Sequence, residues 1–295
     1  MYYYVVTLKK SDTGGKGFLT EQLFLILPLF VVLLIALSIA YLSISVDAPR
    51  ISIVPFFQEY ETRTILINVL FFVSIASLSI PFLYFILKKG WTSLLEKMFA
   101  IGGGLLTLFI SGILGIYLFK QFPSLIILFL LWLFDFFVAL SIALTIAGVF
   151  SEETRNALFM MYSSVAGSFL GMGIPMFSMV HILFSLCIID LVSYRAGLLK
   201  KIADLSEEGR IFVRLRHSDR ELMIGLGDLI YYSMLASYSL VNFGILTAIF
   251  STFLILIGCL LMFLYTTKGE ILPGLPIPFG LGLIPIIIKL TSLLI

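Results

Sequence analysis

The sequence predicts an all-α, polytopic membrane protein of nine transmembrane helices, with a cytoplasmic N-terminus and the C-terminus outside. Three observations carry this reading. The 295 residues are 60% hydrophobic and only 12% charged, against roughly 25% charged residues in a typical soluble domain. Nine apolar stretches approach the length of about 20 residues that a helix needs to cross a bilayer. Lys and Arg fall mostly on one side once those spans are drawn.

The first span runs from Glu21 to Val46. Residues 1–20 form a tail with no short apolar core and small-residue cleavage site, so it is expected to be retained rather than removed as a signal peptide. The second span is Thr64 to Leu87, kinked at Pro81. The third, Met98 to Leu118, carries Gly102-Gly103-Gly104; with no strand before it and no Lys-Ser/Thr after it, this run points to close helix packing rather than a phosphate cradle. The fourth, Ser124 to Phe150, contains Asp135.

Between Asn156 and Arg195 lies an almost uncharged run too long for one span. Gly171-Met172-Gly173-Ile174-Pro175 divides it into a short fifth helix, Ala157 to Leu170, and a sixth, Pro175 to Tyr194. The seventh span is Leu222 to Val241, the eighth Phe243 to Tyr265, and the ninth follows the proline-rich segment Pro273 to Pro278 and runs to Ile295. The chain thus divides into a tail (1–20), six spans (21–199), a cytoplasmic connector (200–221) and three further spans (222–295). Within the connector, Arg210 to Arg216 is rich in β-formers with partial alternation, which suits one strand; a solvated basic connector meeting lipid headgroups is the plainer reading.

With nine spans and the N-terminus inside, Arg50, Arg63, Lys120 and Lys289 lie outside and every other Lys and Arg lies inside, as the positive-inside rule requires. The net charge of +2, from scattered residues, gives no support to nucleic-acid binding. Cys187 and Cys259 sit in apolar runs and read as packing residues rather than a disulfide or metal pair. No metal and no cofactor is expected.

A carboxylate inside an apolar run sets the functional question. Asp228 lies in Gly225-Leu226-Gly227-Asp228, and an ionised Asp at the centre of a spanning helix costs roughly 2.5 to 3.5 kcal/mol, so it calls for a partner and a function. Asp190, five residues before Arg195, is about 7 Å from the cytoplasmic end of the sixth helix, and Asp228 is about 10 to 12 Å into the seventh. Helices joined by one connector are usually neighbours, and Gly225 and Gly227 let a partner backbone approach. Two carboxylates in contact share a proton, as in aspartic proteases. The same pair also suits a proton relay or ion site in a transporter. Asp135 lies nearer mid-membrane with no motif around it.

The residues resemble a known family: the presenilins and their archaeal homologues, the GxGD intramembrane aspartyl proteases. The resemblance rests on Ile189-Asp190-Leu191-Val192-Ser193, on Gly225 to Leu235, where the pattern continues through Ile230, Tyr232, Ser233 and Leu235, and on Pro273-Gly274-Leu275-Pro276. It implies that Asp190 and Asp228 are a catalytic dyad. Gly225, Leu226, Gly227, Pro273, Gly274, Leu275 and Pro276 are then expected to shape the active site or hold unwound substrate. Ile189 stands where the family usually has Tyr, and Gly274 where it usually has Ala. Without the long insertion that eukaryotic presenilins cleave in themselves, an uncleaved chain needing no accessory subunit is expected. The expected activity is hydrolysis of peptide bonds within transmembrane segments of other membrane proteins. A proton-coupled transporter using the same acids is the first alternative and a prepilin-peptidase-like enzyme the second. High Ile content and the short connector suggest a prokaryotic, archaeal plasma membrane.

The proline segment has its own physical reading. Pro273, Pro276 and Pro278 supply no N–H to a helix or ladder, so the chain there is extended or broken. At membrane depth such backbone is tolerated only where protein or a water-filled cavity covers it.

Overall fold

A computed structural model describes residues 2–7, 16–48, 62–205, 212–217, 220–265 and 271–294. The described chain is predominantly helical. Its helices are α1 (Lys16–Ser45), α2 (Thr62–Lys88), α3 (Thr92–Gln121), α4 (Leu125–Ile146), α5 (Glu152–Gly173), α6 (Met176–Arg195), α7 (Leu198–Leu205), α8 (Leu226–Phe243), α9 (Ile245–Tyr265) and α10 (Pro276–Leu294). Four short strands accompany them: β1 (Tyr2–Thr7), β2 (Phe212–His217), β3 (Arg220–Gly225) and β4 (Ile271–Pro273). Among the described residues six helices, α1 to α4, α6 and α9, are long and apolar enough to cross a membrane, so this is a membrane-embedded protein. Large apolar side chains cover its outer surface, among them Leu125, Trp132, Leu78 and Leu246. In water that surface would aggregate; in lipid it is the solvated face.

Helices α5, α8 and α10 are not among the six, and for α5 and α8 packing explains it. Asp228, Leu229 and Tyr232 to Leu240 of α8 are all buried, so this helix faces protein on every side and can carry serines that a lipid-facing helix would hide. α5 packs along it through small residues. A methyl group at Gly167 would overlap the Ile230 carbonyl oxygen, and one at Gly171 the Met234 carbonyl oxygen. The two backbones therefore touch directly, as small-residue spacing allows inside a bilayer.

α1 closes over this pair with the stripe Leu29, Val32, Leu33, Ala36 and Ala40, spaced as one helical face. Ser164 Oγ donates to the Val32 carbonyl at 2.7 Å, and Ser168 and Ser237 both donate to the Ala36 carbonyl at 3.2 Å. A buried hydrogen bond from Asn68 Nδ2 to Ser178 Oγ, 3.0 Å, joins α2 to α6. The glycine run of α3 is a packing device: Cβ atoms at Gly103 and Gly104 would collide with Tyr162 and Ile142, whereas Gly102 faces open space.

The break expected within residues 171–175 is present. α5 ends at Gly173, Ile174 turns extended, and Pro175 stands at the N-cap of α6, where its missing N–H costs no helical hydrogen bond. The fifth helix is nevertheless longer than the expected Ala157 to Leu170, because Ser151 caps it and Glu152 and Glu153 fill its first turn, favourable positions for an oxygen acceptor and for negative charge.

Two further expectations are corrected. The seventh span does not begin as helix at Leu222: residues 220–225 are strand β3, and α8 starts at Leu226 after an extended Gly225. The strand expected within residues 210–216 is present as β2, which pairs antiparallel with β3, and the short helix α7 precedes it. Within the supposed tail, residues 2–7 form β1, and α1 begins already at Lys16. Residues 8–15 of the tail, 206–211 and 218–219 of the connector, and Ile295 lie outside the described residues. The strands make one antiparallel sheet in the order β2-β3-β1-β4, so the all-α expectation holds for the spanning part and omits this sheet.

Candidate active site

Two strands of the sheet lead straight into the motifs singled out above. β3 ends at Gly225, and α8 begins at once, placing Asp228 in its first turn. An acid there stands at the positive end of the helix dipole, where N–H groups lack intrahelical acceptors. The expected position well inside a seventh span is thus replaced by a position at a strand-to-helix junction. Gly225 is the N-cap with φ −67° and ψ 134°, Leu226 is buried, and Gly227 is half-buried beside Asp228.

β4 ends at Pro273, and Gly274 and Leu275 then cross to α10. The Leu275 carbonyl accepts the first bond of α10, from Phe279 N–H at 3.0 Å, which makes Pro276 the first helical residue, the position where proline is best tolerated.

The peptide unit between Gly274 and Leu275 is held at both polar atoms. Its carbonyl accepts from Tyr232 Oη of α8 at 2.6 Å. Its N–H donates to Asp190 Oδ2 of α6 at 3.0 Å. Asp228 completes the arrangement from the other side. A Cβ on Gly274 would stand 2.7 Å from its Oδ2, 2.9 Å from Cγ and 3.0 Å from Oδ1. Only a glycine leaves room for that carboxyl without a shift. Both acids are buried, Asp190 at 2% and Asp228 at 0% exposure.

Two carboxyls carried on different helices thus meet at two consecutive residues of an irregular segment. The sequence-predicted residues Asp190, Asp228, Gly274 and Leu275 come together directly. Gly225, Leu226 and Gly227 lead into Asp228 at the start of α8, and Pro273 and Pro276 bound the segment. Tyr232 has a role that the motif alone does not show, although its place one helical turn after Asp228 puts both on one face. The Tyr232 ring also packs edge-on to Phe279 of α10, with centroids 5.8 Å apart.

Asp135 is elsewhere. It is half-buried on α4 and lines, with Ser111, Lys120 and Trp132, a cavity of about 440 Å³ between α3 and α4 to which no residue of the Asp190–Asp228 site contributes. Cys259 is fully buried and Cys187 partly buried, and neither is in a disulfide. The chain matches no protein-family model and no curated protein.

Proposed function

We propose that this protein is an intramembrane aspartyl endopeptidase of the presenilin-like GxGD kind, hydrolysing peptide bonds within transmembrane segments of other membrane proteins. The observation that carries the reading is the convergence of two buried acids, Asp190 of α6 and Asp228 of α8, on the Gly274–Leu275 segment. Two carboxyls sharing a proton are the equipment of aspartyl proteolysis.

In the proposed reaction the ionised member of the pair takes a proton from a water molecule as the water oxygen attacks the scissile carbonyl carbon. The protonated member gives its proton to the carbonyl oxygen, leaving a neutral gem-diol. On collapse the C–N bond breaks, one carboxyl gives its proton to the leaving nitrogen and the other takes a proton from a gem-diol hydroxyl, so the products are one carboxyl and one amino terminus. A helical substrate hides its carbonyls in its own hydrogen bonds, so it is unwound locally before attack. In this reading α5, α8 and α10 complete nine spans with α1 to α4, α6 and α9, the sheet lies on the cytoplasmic side with the N-terminus, and the C-terminus lies outside. The basic residues around α7, β2 and β3 support that orientation. A prokaryotic plasma membrane and activity without accessory subunits belong to the same proposal.

The test is cleavage of a single-span substrate by purified, reconstituted protein, comparing wild type with Asp190→Asn and Asp228→Asn. Each substitution is expected to abolish cutting while the melting profile persists. Full activity in either variant removes that residue from the chemistry. Transport of protons or solute by a wild type that cuts nothing would favour the transporter instead.

A further inference from the structure

The sheet order β2-β3-β1-β4 places the first residues of the chain between the two strands that feed the site. β3 runs into Gly225 and Asp228, and β4 runs into Gly274 and Leu275. β1 pairs with both, antiparallel to each. Tyr3 stands opposite Ile224 on one side and Leu272 on the other, and Tyr2 stands opposite Pro273. The far end of the strand, Thr7, stands opposite Arg220. β1 therefore points its N-terminal end at the Asp228 motif and at the Gly274–Leu275 segment that binds Asp190.

An unwound substrate segment needs new partners for the N–H and C=O groups that its helix has released. The strand ends that lead to the acids are those of β3, which runs into Asp228, and of β4, which runs into the Leu275 N–H bonded to Asp190. An open strand edge is a template for adding a strand. The second edge of β3 and the pairing edge of β4 are already filled, and the strand that fills them lies more than a hundred residues away in sequence from either neighbour. Nothing in the local sequence of β3 or β4 requires it there.

We propose that β1 is an internal competitor for the substrate strand, so that the enzyme is held in check by its own N-terminal segment until that segment leaves the slot between β3 and β4. The proposal rests on the protease reading and adds regulation to it. The competing ligand is an extended peptide running antiparallel to β3, recognised by main-chain hydrogen bonds. An occupant present about nine-tenths of the time lowers the apparent affinity for substrate about tenfold.

A cross-link tests this in one protein. Val5→Cys and Leu222→Cys place thiols at directly opposed positions of β1 and β3, close enough for a disulfide, with Cys187→Ala and Cys259→Ala removing the native thiols. The oxidised form is expected to cut a single-span substrate at least about tenfold more slowly than the same protein after reduction. Deletion of residues 2–7 is expected to lower KM about tenfold, and the free peptide of those six residues should then inhibit the truncated protein competitively. Oxidised protein that cuts as fast as reduced, or truncation that leaves KM unchanged, overturns the proposal while the protease reading stands. If no form cuts, the protease reading falls and this regulation with it; binding of the dye-labelled peptide to the truncated chain, but not to the oxidised one, would then mark the slot as a strand site without catalysis.

Discussion

Tyr232 donates its hydroxyl to the Gly274 carbonyl across 2.6 Å, tying α8 to the segment that also binds Asp190. Because Asp228 lies one turn earlier on the same helix, this bond fixes the distance between one acid and the backbone that the other acid holds. Tyr232→Phe keeps the ring contact with Phe279 and leaves a buried carbonyl without its donor, a loss of about 1–3 kcal/mol. We expect slower cleavage by about tenfold or more, with a small fall in melting temperature, measured on reconstituted protein. Unchanged kcat would show that the segment is positioned without this bond.

Gly274→Ala is expected to act on Asp228 directly. The added methyl would stand 2.7–3.0 Å from all three terminal atoms of that carboxyl, closer than ordinary contact, so the acid or the segment must move. Since a misplacement of about 1 Å can lower a rate about a hundredfold, kcat should fall by more than KM changes. Steady-state kinetics on one substrate separates the two.

At the α5–α8 contact, Gly167→Ala and Gly171→Ala each push a methyl against a backbone oxygen of α8. Backbone cannot swing aside as a side chain can, and overpacking of this kind costs about 1–3 kcal/mol. Both variants should melt several degrees lower and lose activity together with stability, because α8 carries Asp228. Gly102→Ala, on the same logic, should change neither, as its Cβ would meet nothing within 4 Å.

The Asn68–Ser178 bond should matter for stability alone. Asn68→Ala and Ser178→Ala are expected to show a coupling of roughly 0.6 kcal/mol, up to about 1.7, in a double-mutant cycle, the range seen for hydrogen bonds between membrane helices. Denaturant titration in detergent reads it out.

Asp135→Asn is expected to keep cleavage within about twofold, as substitutions away from the chemistry usually do. Its cavity lies between α3 and α4 and shares no residue with the Asp190–Asp228 site. A loss as large as that of Asp228→Asn would give Asp135 the catalytic role proposed for Asp228.

Much of this architecture is legible in the sequence, and the failures share one cause. The break after Gly173 is readable because Pro175 cannot donate to a continuing helix. Both acids and the proline segment are readable because charge and proline are rare in apolar runs. The start of α8 is not: Leu222 to Ile224 continue the apolar run of the helix, and a short apolar run does not distinguish helix from buried strand. What decides it is pairing with β1 and β2, a tertiary relation. Tyr2 to Thr7, a run of three tyrosines, two valines and a threonine, does carry a strand signal, but its partners lie too far along the chain to be named from composition. The contacts that complete the site, Leu275 N–H to Asp190 and Tyr232 to Gly274, are of the same long-range kind.

The position of β1 also sets a timetable for synthesis. This strand leaves the ribosome well before its partners: β3 follows about 200 residues later and β4 later still. At about 5–20 residues per second that delay is roughly 10–40 s. Throughout it, an exposed strand former waits beside a growing bundle whose acids have nothing to converge on. Asp190 is inserted before the Leu275 N–H that holds it exists. The site and its own occupant therefore come into being together, once β4 has been made, and a nascent chain stalled before Ile271 should be neither active nor restrained.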